Sequence, residues 1–422
     1  MRLRQLCHVL PVALLLAACR SSDMVLQPAV SPARTPGGDI AIIRDPGTGD
    51  VLAAWVARVD SSWRVQFARS ADAGRSWTAP VTVTPEAGDA SPPHGESSPR
   101  LVVAPHGRLA IFWARSVPAA GRQWPGSEMR MARSLDGGVT WEAPRTLNSD
   151  STGAAGTHTF FGAAVLNDTT LVAAWLDERH PELMHGHQSP LPDTSHEPTS
   201  EADARIFAVT SHDFGESWGP NTALWGAVCP CCRVSLTPTP DGRVIAAWRQ
   251  HFPGNIRDIV TASLIPAQVP ERLSHDNWSY PGCPHTGPAI AVDSGGTEHV
   301  VWYTGKEGHA GIFYARRSPG APASEPVGLA TAPTLATAHA SVLTLGQGAL
   351  AAYDISPQRG RAIQLAWLDG DGRLARTLPI PGSASGQYPQ LAMANDSTAL
   401  VAWTQMDSVK MARLRVGGTS MR

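Results

Sequence analysis

Ser134-Leu135-Asp136-Gly137-Gly138-Val139-Thr140-Trp141 is the stretch that decides the fold. It has the pattern Ser-x-Asp-x-Gly-x-Ser/Thr-Trp. The aspartate can accept hydrogen bonds from its own turn, the glycine permits positive φ, and the tryptophan plugs the space beside a sheet. The pattern recurs as Ser70-Ala71-Asp72-Ala73-Gly74-Arg75-Ser76-Trp77 and as Ser211-His212-Asp213-Phe214-Gly215-Glu216-Ser217-Trp218. Asp72, Asp136 and Asp213 are therefore read as structural residues.

Outward from these turns lies a longer repeat. Short apolar strands end in an aromatic residue at Trp55, Trp113, Trp175, Trp248, Trp302, Tyr353 and Trp403. Each is preceded by turn chemistry, such as Pro105-His106-Gly107 or Pro240-Asp241-Gly242, and followed by another strand. A further apolar strand usually closes the unit. Four short strands repeated radially predict an all-β propeller of four-stranded antiparallel blades, A to D from the centre outwards. Seven units are countable. The last lacks strand D, which Met24 to Val30 can supply from the N-terminus, leaving no open sheet edge.

The three turns resemble the Asp boxes, or BNR repeats, of the sialidase superfamily, and the resemblance covers nearly all of residues 38 to 416. It implies a sialidase-like propeller, for which six blades is the family alternative to the seven read here. It also implies a glycoside hydrolase of the exo-α-sialidase type, if the chain is an enzyme. No Arg-Ile-Pro motif of the sialidase kind is present.

The chain has 422 residues, is 42% hydrophobic and 17% charged, and so can bury a core. Its formal net charge of −2 offers no basic surface for nucleic acid. Arg2 and Arg4 precede an apolar run, Leu6 to Ala18, too short to span a bilayer. It ends Leu16-Ala17-Ala18-Cys19, which resembles a bacterial lipobox. Residues 1–18 are then a signal peptide, residues 19–37 a lipidated Cys19 with its tether, and residues 38–422 the propeller. The expected location is the cell envelope, lipid-anchored, on the outer membrane facing periplasm or surface.

The repeat also predicts where chemistry gathers. The starts of A, the ends of B and the starts of C share one face, the top; the Asp boxes sit on the other. Counting seventeen residues back from the aromatic anchor aligns Glu96, His158, Cys231 and His285 in blades two to five. One position on stand Ser97, Thr159, Cys232 and Thr286. Inner strands crowd the axis, so these residues are expected to converge at one mouth. Asp177 and Arg179 follow strand B of blade three, Arg249 and His251 follow that of blade four, and Arg257 and Asp258 open the next strand. An insertion, residues 180 to 203, carries His180, His185, His187 and His196.

Three functional readings follow. In the first, an acidic glycan or other small acidic ligand is recognised or hydrolysed in the funnel. Glu96, Asp177 and Tyr303 are then the catalytic candidates, and Arg100, Arg179, Arg233, Arg257 and Asp258 hold the ligand. In the second, Cys229, Cys231, Cys232, Cys283, His285 and His158 supply a Cu or Zn site. The same four cysteines read equally as two disulfides outside the cytoplasm. A non-catalytic binding platform at the envelope is a third reading.

Overall fold

The computed structural model describes residues 25–118, 125–150, 156–179, 204–356 and 360–416. The signal segment, Cys19 and the four insertion histidines lie outside the described residues. The described chain folds into seven four-stranded antiparallel sheets. Their innermost strands are Gly37–Arg44, Arg100–Ala104, His158–Val165, Ser235–Pro238, Ala289–Val292, Ala340–Leu345 and Gly386–Asn395, in chain order. Each touches the next, and the seventh touches the first. The result is a closed seven-bladed β-propeller rather than the six-bladed alternative.

Closure uses the N-terminal segment. Leu26–Pro28 pairs antiparallel with Ser408–Arg415 and becomes the fourth strand of blade seven. Proline has no N–H to offer a sheet, so Pro28 fits an outermost strand. Trp77 ties the same segment to blade one through Nε1 donating to Val30 O at 2.8 Å.

The aromatic anchors occupy the seams between blades. Trp55, Trp113, Trp175, Trp248, Trp302 and Tyr353 are fully buried. Burial of one such side chain contributes roughly 2–3 kcal/mol. A buried indole N–H needs an acceptor. Trp175 donates to Asp177 (2.8 Å), Trp248 to Gln250 (2.8 Å) and Trp403 to Gln405 (3.1 Å), in each case two residues further along.

The three Asp boxes share one geometry. Asp136 Oδ1 accepts Thr140 N–H (2.9 Å), Oδ2 accepts the Thr140 hydroxyl (2.6 Å), and Gly138 N–H donates to Ser134 Oγ (2.8 Å). The Thr140 hydroxyl and N–H hold the Asp136 carboxyl down to about 2. Gly138 has φ +88°, and a Cβ there would lie 2.2 Å from the Phe67 ring of the preceding blade. Trp141 packs edge-on against that same ring at 5.2 Å, as Trp218 packs on Phe112 at 6.1 Å. These turns are therefore the mortar between consecutive blades on the bottom face.

Candidate functional site

The site begins with irregularities in the inner strands. Pairing of strands A and B slips between Gly38 and Ala41, between Thr159 and Gly162, and between Gln387 and Gln390. Each slip holds a non-glycine residue at positive φ: Asp39 (56°), Phe160 (55°) and Tyr388 (54°). His285, just ahead of the blade-five inner strand, has φ 50°. Such conformations cost about 1 kcal/mol or more each, and a bulge redirects a side chain out of the pleat. Here the redirected groups meet at the top mouth. Asp39 accepts the His94 N–H. The His94 ring lies 5.5 Å from Phe160 and 5.9 Å from His285. Tyr388 passes so close to Gly95 that a Cβ there would sit 2.1 Å from its ring. His339 lies 4.0 Å from Tyr388, and Asp354 holds both, through His339 Nδ1 (2.9 Å) and Tyr388 N–H (2.8 Å).

Below this mouth lies Glu96, fully buried. It accepts Arg233 N–H (3.1 Å), Arg233 Nη1 (3.1 Å) and Gly287 N–H (2.6 Å). Arg233 also donates to Ala340 O. One carboxylate thus joins blades two, four and five, and through Arg233 blade six. Arg100 opens the inner strand of blade two, four residues after Glu96, with Nε donating to Phe161 O at 3.2 Å. Burial and the charge of Arg233 pull its guanidinium down to about 10, against the opposing pull of Glu96 and Asp39. Arg100 and Arg233 line an axial cavity of about 160 Å³ with Ser235, Ser341 and Gln390. The buried Ser341 hydroxyl has no hydrogen-bond partner. Asp39 is raised to about 7, chiefly by burial and also by Glu96, against the His94 N–H and Arg100. The His94 imidazole is lowered by burial and by His285.

The predicted convergence holds in part. The segments carrying Glu96, Cys231 and His285 meet, since Glu96 bonds residues two places beyond each of the other two. His158 departs from them. Its ring turns outward between blades two and three, onto Ser127 O (2.6 Å) and Asp150 (2.9 Å). His158 and His285 stand outside the group formed by the sulfurs of Cys229, Cys231 and Cys232. The strand carrying His158 is displaced by its bulge, which the residue count did not register.

The other candidates are engaged in the scaffold. Asp177 takes the Trp175 indole and a two-pronged contact from Arg179, whose guanidinium lies 4.0 Å over Phe207. Tyr303 is buried and donates to Leu335 O at 2.5 Å. Asp258 is held by Arg272 Nε (3.0 Å) and Asn277 N–H (3.1 Å). Arg257 is fully buried and donates to Tyr280 O at 3.2 Å. His251 points to Asn255 at 3.2 Å. Asp177, Tyr303, Arg179, Arg257 and Asp258 are thus removed from the mouth, whereas Arg100 and Arg233 face the axis.

At the head of blade four, Cys229-Pro230-Cys231-Cys232 forms a tight turn, with Cys232 N–H directed to Cys229 O (3.4 Å). Sγ of Cys229 lies 2.8 Å from that of Cys232 and 3.9 Å from that of Cys231. A bonded pair would stand at about 2.05 Å, so no disulfide links these three. Cys283, the exposed member of the four, neighbours Cys231.

Residues 49–263 match the BNR repeat-like domain, from blade one to the third strand of blade four. The chain belongs to the BNR repeat-like family. No curated protein matches it. Among solved structures, an α-L-arabinofuranosidase from Fusarium graminearum with an iminosugar inhibitor aligns at 12% identity and a TM-score of 0.50, covering 93% of this chain and 97% of that one. A Hadza microbial sialidase aligns at 13% identity and a TM-score of 0.48; the BNR propeller is 90% covered and spans 65% of that chain. A protein of unknown function from Dyadobacter fermentans aligns at 14% identity and a TM-score of 0.46, covering 75% and 93%. At such identities the likeness is one of fold.

Three mouth residues of this BNR propeller were absent from the sequence reading. Asp39 occupies in blade one the position that Ser97, Thr159, Cys232 and Thr286 occupy in blades two to five, so extending the count to the first blade finds it. His339 and Tyr388 fall in blades six and seven, beyond the aligned set.

Proposed function

We propose that this BNR propeller recognises the acidic group of a glycan at its top mouth, with Arg100 and Arg233 as the anion subsite. One observation carries the reading: the Arg100 and Arg233 guanidinium groups flank the axial cavity, and among the described residues the carboxylate hydrogen-bonded to either is Glu96, on Arg233. Two guanidiniums against one carboxylate give the cavity a positive bias, which suits a carboxylate, sulfate or phosphate. The cavity takes a charged headgroup and leaves the sugar at the aromatic and histidine rim. If hydrolysis accompanies binding, the acid is Asp39, whose raised pKa keeps a proton near neutrality. Glu96, Asp177 and Tyr303 are spent on internal partners. Export and anchoring through a lipidated Cys19 complete the proposal, and metabolic labelling with a fatty-acid analogue tests that part.

The experiment is calorimetric titration of the protein with N-acetylneuraminic acid, glucuronic acid and neutral arabinose, beside Arg100→Gln. Binding of an acidic sugar, absence of neutral binding, and loss of about tenfold or more in Arg100→Gln are expected. Equal affinity for acidic and neutral sugars, or none for either, refutes the assignment. Release from sialyl and uronyl aryl glycosides, measured in parallel, decides whether binding leads to turnover.

A further inference from the structure

The glycan reading leaves the sulfur cluster without a role. Cys229, Cys231 and Cys232 are all buried, and their Sγ atoms lie within 4.8 Å of one another. Three thiols on four consecutive residues, packed in a propeller seam, are more than a core needs; one small apolar side chain would fill each place. Sulfurs around a tetrahedral thiolate-bound ion stand about 3.8 Å apart, given metal–sulfur bonds of about 2.3 Å. The Cys229–Cys231 separation of 3.9 Å already meets that value. The Cys229–Cys232 separation of 2.8 Å must open by about 1 Å, a small side-chain rotation. Cys283, at the head of blade five, neighbours Cys231 but stands outside the three-sulfur group, so it must move inward to complete the set.

A second observation is electrostatic. Arg249 is 1% exposed and begins just after the Trp248 anchor. Among the described residues its guanidinium donates to three backbone carbonyls, Thr286 O (3.1 Å), Arg257 O (2.7 Å) and Tyr303 O (2.7 Å), and lies 5.1 Å from the Trp278 ring. Among the described residues no carboxylate is within ion-pair reach of it. A buried guanidinium held by carbonyl dipoles alone favours negative charge close by. Arg249 is adjacent to the cluster, since its carbonyl accepts Cys229 N–H at 3.0 Å. The Asp276 carboxylate acts on Arg249 from beyond ion-pair distance, and the cysteine sulfurs lie on the other side of the same turn. Four thiolates on Zn²⁺, or three on Cu⁺, leave a doubly negative centre beside the Arg249 guanidinium.

We propose that Cys229, Cys231 and Cys232, with Cys283 as the outer donor, form a binding site for a closed-shell thiophilic metal ion, Zn²⁺ or Cu⁺. The soft donor set excludes hard cations such as Mg²⁺ and Ca²⁺. Proline at position 230 stiffens the turn that presents the sulfurs, and the exposed Cys283 side admits the ion.

The test uses the whole protein, purified without a histidine tag under a non-thiol reductant and free of oxygen. It is loaded separately with Zn²⁺, with buffered Cu⁺, and with Co²⁺ as a spectroscopic probe, then dialysed. About one equivalent of Zn or Cu retained, thiolate-to-Co²⁺ charge-transfer absorption, and protection of the cysteines from alkylation until a chelator is added are expected. Competition between the Zn²⁺ and Cu⁺ arms names the ion. Cys232→Ser is expected to retain less than about a tenth of an equivalent, and Cys283→Ser to bind at least about tenfold more weakly. Unchanged affinity in Cys283→Ser removes Cys283 from the site. Retention below about a tenth of an equivalent by the unaltered protein overturns the proposal. So does a disulfide among these cysteines, mapped under non-reducing conditions in protein taken directly from its native compartment. The alkylation and disulfide maps use the unaltered protein, so they decide the matter even if a serine variant fails to fold.

Discussion

Replacing Asp39 with asparagine isolates the most perturbed carboxyl of the mouth. Asparagine keeps an acceptor for the His94 N–H but cannot ionise. In the wild type the carboxyl moves from 3.8 to about 7 on folding, because the site removes it from water. The folded state therefore holds a proton that the unfolded chain has released. Stability from this group is complete below 3.8, declines as pH rises towards about 7, and is level above that. Roughly three pH units at about 1.4 kcal/mol each make about 4 kcal/mol, an order-of-magnitude figure. The asparagine variant lacks this decline. The Asp-box carboxyls, held at about 2, lose their stabilisation in acid, but they do so in both proteins and cancel in the difference. Urea titrations of the two proteins across about pH 4 to 8 measure that difference, which should grow by about 4 kcal/mol in favour of the variant as pH rises. A difference constant to within about 1 kcal/mol over the range would falsify the placement of a buried, proton-retaining Asp39. The same variant should retain acidic-ligand affinity above neutral pH, where the wild type gains a competing negative charge beside Arg100.

Three further outcomes are expected. Glu96→Ala leaves Arg233 buried without its partner, so urea titration should show a loss of about 3–5 kcal/mol; a loss under about 1 kcal/mol would remove Glu96 from the keystone position. Gly138→Ala meets both a left-handed backbone and the Phe67 ring, and should lose about 2–4 kcal/mol with quenching changes at Trp141, whereas Gly242→Ala, with open space around it, should lose less. His158 is lowered by burial but raised overall by the Asp150 hydrogen bond and the charges of Asp177 and Asp150. Its contribution is present below its ordinary value of 6.5 and is lost as pH rises beyond that, so the stability gap between wild type and His158→Gln should narrow on the alkaline side.

The blades were legible in the chain because their signals are local and repeated. The spacing from Ser134 to Trp141 closes hydrogen bonds within eight residues, and each aromatic anchor ends its own strand. Counting those anchors yields seven blades, and the missing last strand points to the N-terminal segment near Leu26. Even the structural role of Asp177 is visible in retrospect, since Gln250 and Gln405 stand at the same distance from their tryptophans and take the same indole hydrogen bond.

The mouth was legible only as a set of positions. The count from the anchor brought Glu96, Cys231 and His285 to one end of the ring, but it could not say where each side chain turns. Glu96 points to the axis and His158 away from it, though their counts are identical, because an extra residue at Phe160 shifts the strand. Arg100 and Arg233 differ from Arg179 only in where carboxylates fall around them.

The sequence by itself determined the architecture of this protein: strand type, blade number and the mortar between blades, all set by contacts that span a few residues or one repeat. The tertiary structure alone decided which groups carry charge into the axis. Glu96 finds Arg233 and Gly287 at separations of 137 and 191 residues. Desolvation and charge compensation depend on all neighbours at once, whichever blade supplies them, so no local pattern encodes that outcome.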